Sequence, residues 1–296
     1  MTLVQRLRLA VLTISALALV PAALADPPRF TTINYPGAAA TYVLGINPGG
    51  DIVGYYDDNS GEHGFALRAG TLISFDYPGA TWTDAYGISP QGDIIGQYGL
   101  ADNTTHGFLL RNGSFYPVEV PGPNDAGKAN SMPFKISPDG TIIGCYHQSN
   151  PNGSSVGGTM HGFAMNADGV IFDSTADTMH LGVNPSGDIT GYITSDGRSY
   201  VISSDGVRDW FTFPGALVTR ATDISATGDI VGWYKDSSGH FHGFLRRQGE
   251  FTSLDVDLPG VKQTRPYGTN AVGEIVGYYQ DATGWHGFLL SRRGRD

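Results

Sequence analysis

The sequence predicts an all-β protein, a six-bladed β-propeller with four-stranded blades. A segment anchored by DIVG or a close variant occurs six times, at intervals of 41 to 48 residues, and a period of this length is typical of propeller blades or solenoid repeats. Each segment consists of short β-rich runs separated by turn residues. No window keeps apolar residues at the spacing of a helix face.

Each unit is expected to form four strands in order. The first strand ends in GIN, GIS or GVN, and a turn such as NPGG or SPDG follows, with the residue types of a type I turn closed by glycine. The second strand is the DIVGYY run, with an internal glycine that indicates close packing against a neighbouring residue. The third is HGFALR or a variant, and a tight turn such as RNG leads to the fourth, SFDYPG or a variant.

The two ends of the chain complement each other. Residues 29–37 match a fourth strand with no preceding three, whereas the last unit, residues 266–290, has three strands and no fourth. Pairing of these ends would complete the sixth blade and close the ring, which removes both free sheet edges.

Residues 1–25 predict a secretory signal peptide, with two arginines, an apolar core and cleavage after Ala25. An uncleaved anchor fits less well, because Pro21 and small residues interrupt the apolar run. The residue directly after the cleavage site is not a cysteine, so no lipid anchor is indicated. We therefore expect residues 26–296 to form a single propeller domain that is secreted or periplasmic and monomeric, with no membrane insertion after cleavage.

The charge of the chain argues against nucleic acid as a partner. Cleavage would leave 16 basic against 28 acidic residues, and phosphate binding requires a basic patch. Cys145 is the only cysteine, so no intramolecular disulfide forms, and we expect a buried, inert thiol at this position.

The repeat resembles that of the HAF-repeat family of probable extracellular bacterial proteins. The resemblance rests on the GINPxGDIVG pattern and on HGF triplets, and it covers nearly the whole mature chain. It implies export but no activity and no catalytic residues. Unit four departs from the pattern, since it places Arg198 where histidine is expected. The triplets begin at His63, His106, His161, His242 and His286.

These histidines are expected to tie each blade together by hydrogen bonds to a loop or a carboxylate. They cannot converge on one metal ion, because equivalent positions are spread around a ring. The loops at Asp57 and Asp236 resemble calcium-binding loops faintly, but the glycine falls at the wrong position. We expect hairpin turns there and no cofactor, with calcium as the minor alternative.

Polar residues in the first strands are candidates for a site, because these strands would line the central channel if they are innermost. Lys135 and Asp223 stand where the other units have glycine, and His180 stands two positions before the glycine of its own strand. These three could meet near the axis, either as a binding or acid–base cluster or as a hydrated polar plug. Three further side chains are expected at the strand entrance, namely Asp84, Arg220 and Arg265.

A binding face is predicted on the side of the two irregular loops, residues 120–133 and 147–160, because functional residues often sit on loops above a rigid scaffold. The same face should carry Trp82, Phe241 and Trp285, whose rings could stack on sugars or peptides. The predicted ligand-binding residues are therefore Trp82, Lys135, Arg220, Phe241, Arg265 and Trp285.

Three functions are compatible with this sequence. The favoured one is an exported binding or interaction module for an envelope or extracellular polysaccharide or protein, acting without chemistry. The second is a polysaccharide lyase or glycoside hydrolase that uses Asp84, His180 and Asp223, although a hydrolase needs two carboxyl groups at a defined separation. The third is a structural exported protein without a small ligand.

Overall fold

The computed structural model describes residues 29–120, 131–148, 159–169 and 171–291. Every regular element in these ranges is a β-strand, and none is a helix. Accordingly, the described residues include no helix that could cross a membrane. The predicted signal peptide lies outside the described residues. The predicted all-β class is confirmed.

The strands follow the order of the repeats. The chain begins with β1 (Arg29–Ile33). Unit 1 comprises β2 (Ala40–Ile46), β3 (Ile52–Asp58), β4 (Gly61–Arg68) and β5 (Thr71–Phe75); unit 2 comprises β6 (Trp82–Ile88), β7 (Ile94–Gly99), β8 (Thr105–Arg111) and β9 (Ser114–Val118); unit 3 comprises β10 (Ser131–Ile136), β11 (Ile142–Gln148), β12 (Thr159–Met165) and β13 (Ile171–Ala176). Unit 4 comprises β14 (Thr178–Val183), β15 (Ile189–Ile193), β16 (Ser199–Ile202) and β17 (Arg208–Phe211); unit 5 comprises β18 (Val218–Ile224), β19 (Ile230–Lys235), β20 (Phe241–Arg247) and β21 (Glu250–Ser253); unit 6 comprises β22 (Gln263–Thr269), β23 (Ile275–Gln280) and β24 (Trp285–Ser291).

Units 2 to 5 are separate four-stranded antiparallel sheets, whereas units 1 and 6 share one sheet of eight strands. In the shared sheet, β1 runs antiparallel to β24, from Arg29 opposite Ser291 to Ile33 opposite Gly287. A single parallel bridge between Ala40 and Trp285 connects β2 to β24. This merged sheet differs from six separate blades, because the short connection from β1 brings the start of β2 alongside β24.

The first strands of the six units lie side by side, and we call them the inner strands. Each inner strand contacts the next one in sequence order, and β22 also contacts β2. Glycine in the second strand permits tight pairing within each unit. A Cβ added to Gly54 would collide with the carbonyl oxygen of Tyr42, and one added to Gly96 with that of Asp84. The predicted close packing at these glycines is confirmed.

The hydrophobic core lies between neighbouring units. The phenylalanine of every HGF triplet is fully buried, and Tyr200 is the corresponding fully buried ring in unit 4. Adjacent units share clusters around these rings, as where Phe75 of unit 1 packs with Phe108 and Phe115 of unit 2. The five phenylalanines are Phe65, Phe108, Phe163, Phe244 and Phe288.

The HGF histidines hold the third strand to the fourth. Their rings lie against the tyrosine of the second strand, for example His63 on Tyr56 at 5.3 Å between centroids. The Nδ1 atom of His63 lies 2.9 Å from a carboxylate oxygen of Asp76, and that of His106 lies 2.9 Å from Glu119. The structural role predicted for these histidines is confirmed in the units where the bonds are described.

Unit 4 replaces this arrangement with a different pair. Arg198 forms an ion pair with Asp196 at 2.6 Å, and its guanidinium lies 4.9 Å from the centre of the Trp210 ring. The four strands of unit 4 nevertheless form a regular sheet. The departure from the repeat therefore changes the rim of this unit and leaves its strand pairing intact.

Removing β1 should destabilise the protein strongly. A chain that begins at residue 34 loses Ile33, which is 8% exposed, and leaves β24 unpaired on one side. Losing a buried side chain of this size costs about 2–5 kcal/mol, and each kcal/mol lowers Tm by about 2–4 °C in a domain of this size. We expect Tm to fall by about 10 °C or more relative to a chain that begins at residue 26. An unchanged Tm would show that β1 contributes nothing to the fold.

His242 should make stability depend on pH. Burial opposes protonation of this ring, but Asp255 and Asp236 outweigh it and raise the pKa of His242 above its usual value. Because the folded-state pKa is raised, the stabilisation is present below pH 6.5 and is lost as the pH rises through the folded value. His242→Asn should remove less than about 1 kcal/mol at pH 5.5 and almost nothing at pH 8, as measured by urea denaturation. An equal loss at both pH values would contradict this assignment.

Candidate functional site

The axis between the inner strands is filled by side chains rather than open. Each inner strand has a β-bulge, as between Val43 and Gly45 or between Ala85 and Gly87. A bulge adds one residue and redirects its side chain. The space left between the bulged residues is about 10 Å³, no more than one water molecule requires. The bulged residues are Leu44, Tyr86, Phe134, Leu181, Thr222 and Tyr267.

The six bulged residues together form what we call the plug. On one side of the plug, Lys135 and Asp223 form a buried ion pair. The Lys135 Nζ atom donates to Asp223 Oδ2 at 2.5 Å, although Gly182 of unit 4 lies between the two strands in the sequence. The backbone N–H groups of Thr269 and Ile224 donate to the same carboxylate, at 2.8 and 2.9 Å. The prediction that the two charged residues meet is correct, but the Lys135 ammonium is paired with Asp223, and the Asp223 carboxylate also accepts from the backbone.

His180 does not join this pair, so the predicted three-residue cluster is wrong. Its side chain points into unit 4, where Nδ1 donates to the Tyr200 hydroxyl at 2.7 Å, and that hydroxyl donates to the Met179 carbonyl. Burial, assisted by Arg208, lowers the pKa of His180 to about 4. His180 is therefore a neutral, structural histidine, and no acid–base role at the axis follows for it.

Breaking the buried pair should cost more than replacing it. Lys135→Met leaves the Asp223 carboxylate, which is 0% exposed, without its cation, and such a loss costs about 3–5 kcal/mol. The double variant Lys135→Met, Asp223→Asn removes both charges and should recover most of that loss. Denaturant unfolding of the two variants measures the difference. A loss below about 1 kcal/mol for the single variant would show that the pair is not buried as described.

On the other side of the plug, polar and aromatic side chains form a cluster, which we call the mouth. The inner strands begin at this end, and four of their side chains occupy equivalent positions, each paired with a residue of the second strand. Carboxyl, guanidinium and aromatic groups are thus brought together from units 1, 2, 5 and 6. The mouth is lined by Tyr42, Tyr55, Asp84, Arg220, Arg265, Tyr278 and Trp285.

Aromatic rings form one wall of the mouth. Tyr42 stacks on Tyr55 at 4.6 Å and meets the edge of Tyr278 at 5.1 Å, measured between ring centroids. Trp285 lies 5.9 Å from Tyr42 and 5.4 Å from Tyr278. All four rings are only partly buried except Tyr278, which is 9% exposed. Such half-buried rings leave part of their apolar surface accessible to solvent.

Arg265 lies within a second group of rings, together with two residues predicted to bind ligand. Its guanidinium carbon is 4.2 Å from the Phe241 ring centre, 5.0 Å from Trp233 and 5.8 Å from Trp285. Arg265 also donates to the Gln263 side chain at 3.0 Å. The structure therefore brings Phe241, Arg265 and Trp285 together, as predicted for one binding face.

Arg220 and Trp82 are placed differently from that expectation. Arg220 lies 4.1 Å from the centre of the Tyr192 ring and donates to the carbonyls of Ile193 and Thr194. Its guanidinium is therefore hydrogen-bonded to the backbone of unit 4. The ring of Trp82 lies over Gly99 in its own hairpin. Most of the two irregular loops, residues 121–130 and 149–158, lies outside the described residues.

Asp84 is the acidic residue of the mouth that keeps an unused oxygen. The Tyr86 hydroxyl donates to Oδ2 at 3.1 Å, while the buried Oδ1 has no hydrogen-bond partner among the residues that the structure describes. Burial, together with the charges of Glu62 and Asp57, raises the pKa of Asp84 well above its usual value. Of the three predicted catalytic candidates, only Asp84 therefore retains an oxygen atom that could bond to a ligand.

Two other features have less functional capacity. A groove of about 610 Å³ lies between units 5 and 6, away from the mouth, but the Arg247 and Asp229 side chains that line it already pair with each other at 2.6 Å. The contacts of Ser60, His63 and Asp76 imitate a catalytic triad, yet the Ser60 hydroxyl donates to Asp58.

The possible calcium loops are turns stabilised by their own aspartates, since Asp236 accepts from the backbone of Ser238 and His240. Within the described ranges, no three acidic, histidine or cysteine side chains converge as metal ligands would. Cys145 is fully buried, and burial raises the pKa of its thiol. The predicted inert thiol is consistent with this environment.

Comparison with known proteins places this geometry within one fold. No family model and no curated protein matches the chain. Its structure is similar to that of a streptogramin B lyase, with a TM-score of 0.52, 14% identity and coverage of 89% of this chain and 98% of that one. The chain has a β-propeller fold.

Two further β-propeller structures are similar to it. A proposed gluconolactonase has a TM-score of 0.54 and 15% identity, over 91% of this chain and 94% of that one. TolB from Acinetobacter baumannii has a TM-score of 0.51 and 16% identity, over 86% of this chain and 64% of that one. At these identities the likeness establishes the propeller fold, and the function must be argued from the mouth itself.

Proposed function

We propose that the six units are the blades of a closed ring and that the protein is exported to the periplasm or the extracellular medium. The pairing of β1 with β24 and the contact of β22 with β2 support closure, and the signal-like residues 1–25 support export. Closure places the mouth at the centre of one face, where residues from four blades can act on one ligand.

We propose further that this protein is a binding module whose mouth recognises an envelope or extracellular polysaccharide. The observation that carries the proposal is the partly exposed wall of Tyr42, Tyr55 and Trp285 beside Arg265 and Asp84. Flat aromatic faces stack on the apolar faces of sugar rings, while a few fixed polar groups select their hydroxyls.

An enzyme is the alternative, and Asp84 is the observation that favours it. A carboxyl group whose pKa is raised by burial can hold a proton near neutral pH and act as a general acid. A glycoside hydrolase would also require a second carboxyl group at a defined separation. In a binding module, Asp84 instead supplies a hydrogen bond and no reaction follows.

Trp285→Ala should abolish retention on polysaccharide. Truncation removes an aromatic face of the mouth, and such anchors contribute about 2 kcal/mol or more to binding, or about thirtyfold in affinity. Co-sedimentation of purified protein with insoluble polysaccharides and cell envelopes measures retention. The supernatant is assayed for released sugar.

Trp210→Ala is the matched control, because this ring is 36% exposed on the outer strand of unit 4, away from the mouth. It should leave retention unchanged. Equal loss in both variants, or full retention of Trp285→Ala, would refute the mouth as the binding site. Released sugar that disappears in Asp84→Asn would establish the enzyme instead.

A further inference from the structure

Three carboxyl groups of units 1 and 2, those of Asp57, Glu62 and Asp84, form a group beside the mouth that we call the acidic wall. Asp57 and Glu62 face each other across β3 and β4, and both act electrostatically on Asp84 in the inner strand β6. Burial and the neighbouring carboxylates raise the pKa values of Asp57, Glu62 and Asp84 alike. Asp84 is buried, Asp57 half-buried and Glu62 exposed, and like charges around a buried carboxylate are unfavourable unless a cation joins them.

Two oxygen atoms in this wall are unused. Asp84 is 7% exposed, and its Oδ1 atom is buried without a hydrogen-bond partner among the described residues; the same holds for Asp57 Oδ1. A buried polar atom without a partner costs about 1–3 kcal/mol, and more if it is charged. A donor supplied by a ligand would remove this cost at both positions.

No lysine or arginine among the described residues acts on the carboxyl groups of this wall. Lys135 is engaged with Asp223 on the far side of the plug, and Arg220 is bonded to the backbone of unit 4. Arg265 is the cation whose charge reaches Tyr42, but its guanidinium is held against Phe241 and Trp233. The mouth therefore has an acidic wall on one side and an arginine fixed among rings on the other.

Tyrosine rings line the approach to the acidic wall. The charges of Asp57, Glu62 and Asp84 all act on Tyr42, and those of Asp84 and Glu62 act on its stacking partner Tyr55. Burial and these charges raise the pKa of Tyr42 to about 12, so the ring stays neutral with its electron-rich face intact. Aromatic faces beside carboxylates are the surroundings that a protonated amine prefers.

We propose that this wall, formed by Asp57, Glu62 and Asp84 beside Tyr42 and Tyr55, is a subsite for a protonated amino group. The inference rests on the proposed polysaccharide binding and makes it specific, because it selects glycans that carry free amino sugars over neutral or N-acetylated ones. An ammonium group donates to Asp84 Oδ1 and Asp57 Oδ1, while the sugar ring lies against the aromatic wall.

The test is calorimetric titration of the mature protein with three oligosaccharides of equal length. These are a glucosamine oligomer, its N-acetylated form and a neutral glucose oligomer. The glucosamine oligomer should bind about tenfold or more tightly than the other two, as expected for a charge-assisted hydrogen bond in a desolvated site. Asp84→Asn should remove this preference while the weaker affinity for the neutral oligomer remains.

Asp168→Asn is the matched control, since Asp168 is an exposed carboxylate in the turn between β12 and β13, and it should keep the preference. Equal affinity for all three oligomers would overturn the amine subsite and leave the proposed polysaccharide binding standing. Preference for glucosamine that survives in Asp84→Asn would place the subsite elsewhere and overturn the assignment. Calcium that displaces the glucosamine oligomer would identify a metal site instead.

A small amine tests the subsite independently of any glycan. Spermidine should bind the wild type and should bind Asp84→Asn at least about tenfold more weakly. If spermidine behaves in this way and no oligosaccharide binds, the subsite stands while the proposed polysaccharide function fails. If neither spermidine nor any oligosaccharide binds, both fail.

Discussion

The close approach of the inner strands around one axis is the constraint on which the rest of the structure depends. Where six strands meet, almost no room remains for side chains, so glycine stands beside the axis in four units. A bulge in each strand then turns one side chain inward, and these side chains fill the axis from Leu44 to Tyr267. The plug lies between two ends of the axis that carry chemically different side chains. One end holds the buried pair of Lys135 and Asp223, and the other is the mouth.

This division explains why some charged residues near the axis are paired and others are not. Lys135 and Asp223 replace glycine in units 3 and 5, and the space left by Gly182 lets their side chains meet. Each then neutralises the charge of the other, so the pair presents no net charge to a ligand. Asp84 stands on the mouth side, where the Tyr86 hydroxyl is the one side-chain donor to it among the described residues. An acidic group that is buried but incompletely satisfied is costly to keep in a folded protein, and binding a ligand is one function that accounts for it.

Much of the fold was predictable because characteristic residues mark the strands and turns within the repeat. Turn glycines, paired β-branched residues and the HGF triplets mark each strand of unit 1 in the sequence, and the structure places strands at these segments. The aromatic site was partly predictable as well, since Phe241 and Trp285 begin third strands on the same face. The bulges were not predictable, because a single inserted residue such as Leu44 leaves no mark in an alternating apolar run. That omission led to His180 being placed at the axis, whereas the bulge turns it toward Tyr200. The acidic wall was missed because Asp57 and Glu62 lie in one hairpin of unit 1, whereas Asp84 belongs to unit 2 and meets them only through packing of the two units.

A crystal structure of the mature protein with a bound glucosamine oligosaccharide would test the central claim most directly. We expect one sugar ring against Tyr42 and Trp285, with its amino nitrogen within hydrogen-bond distance of Asp84 Oδ1. An oligosaccharide bound in the groove between units 5 and 6, or on the outer strands with the mouth unchanged, would contradict it.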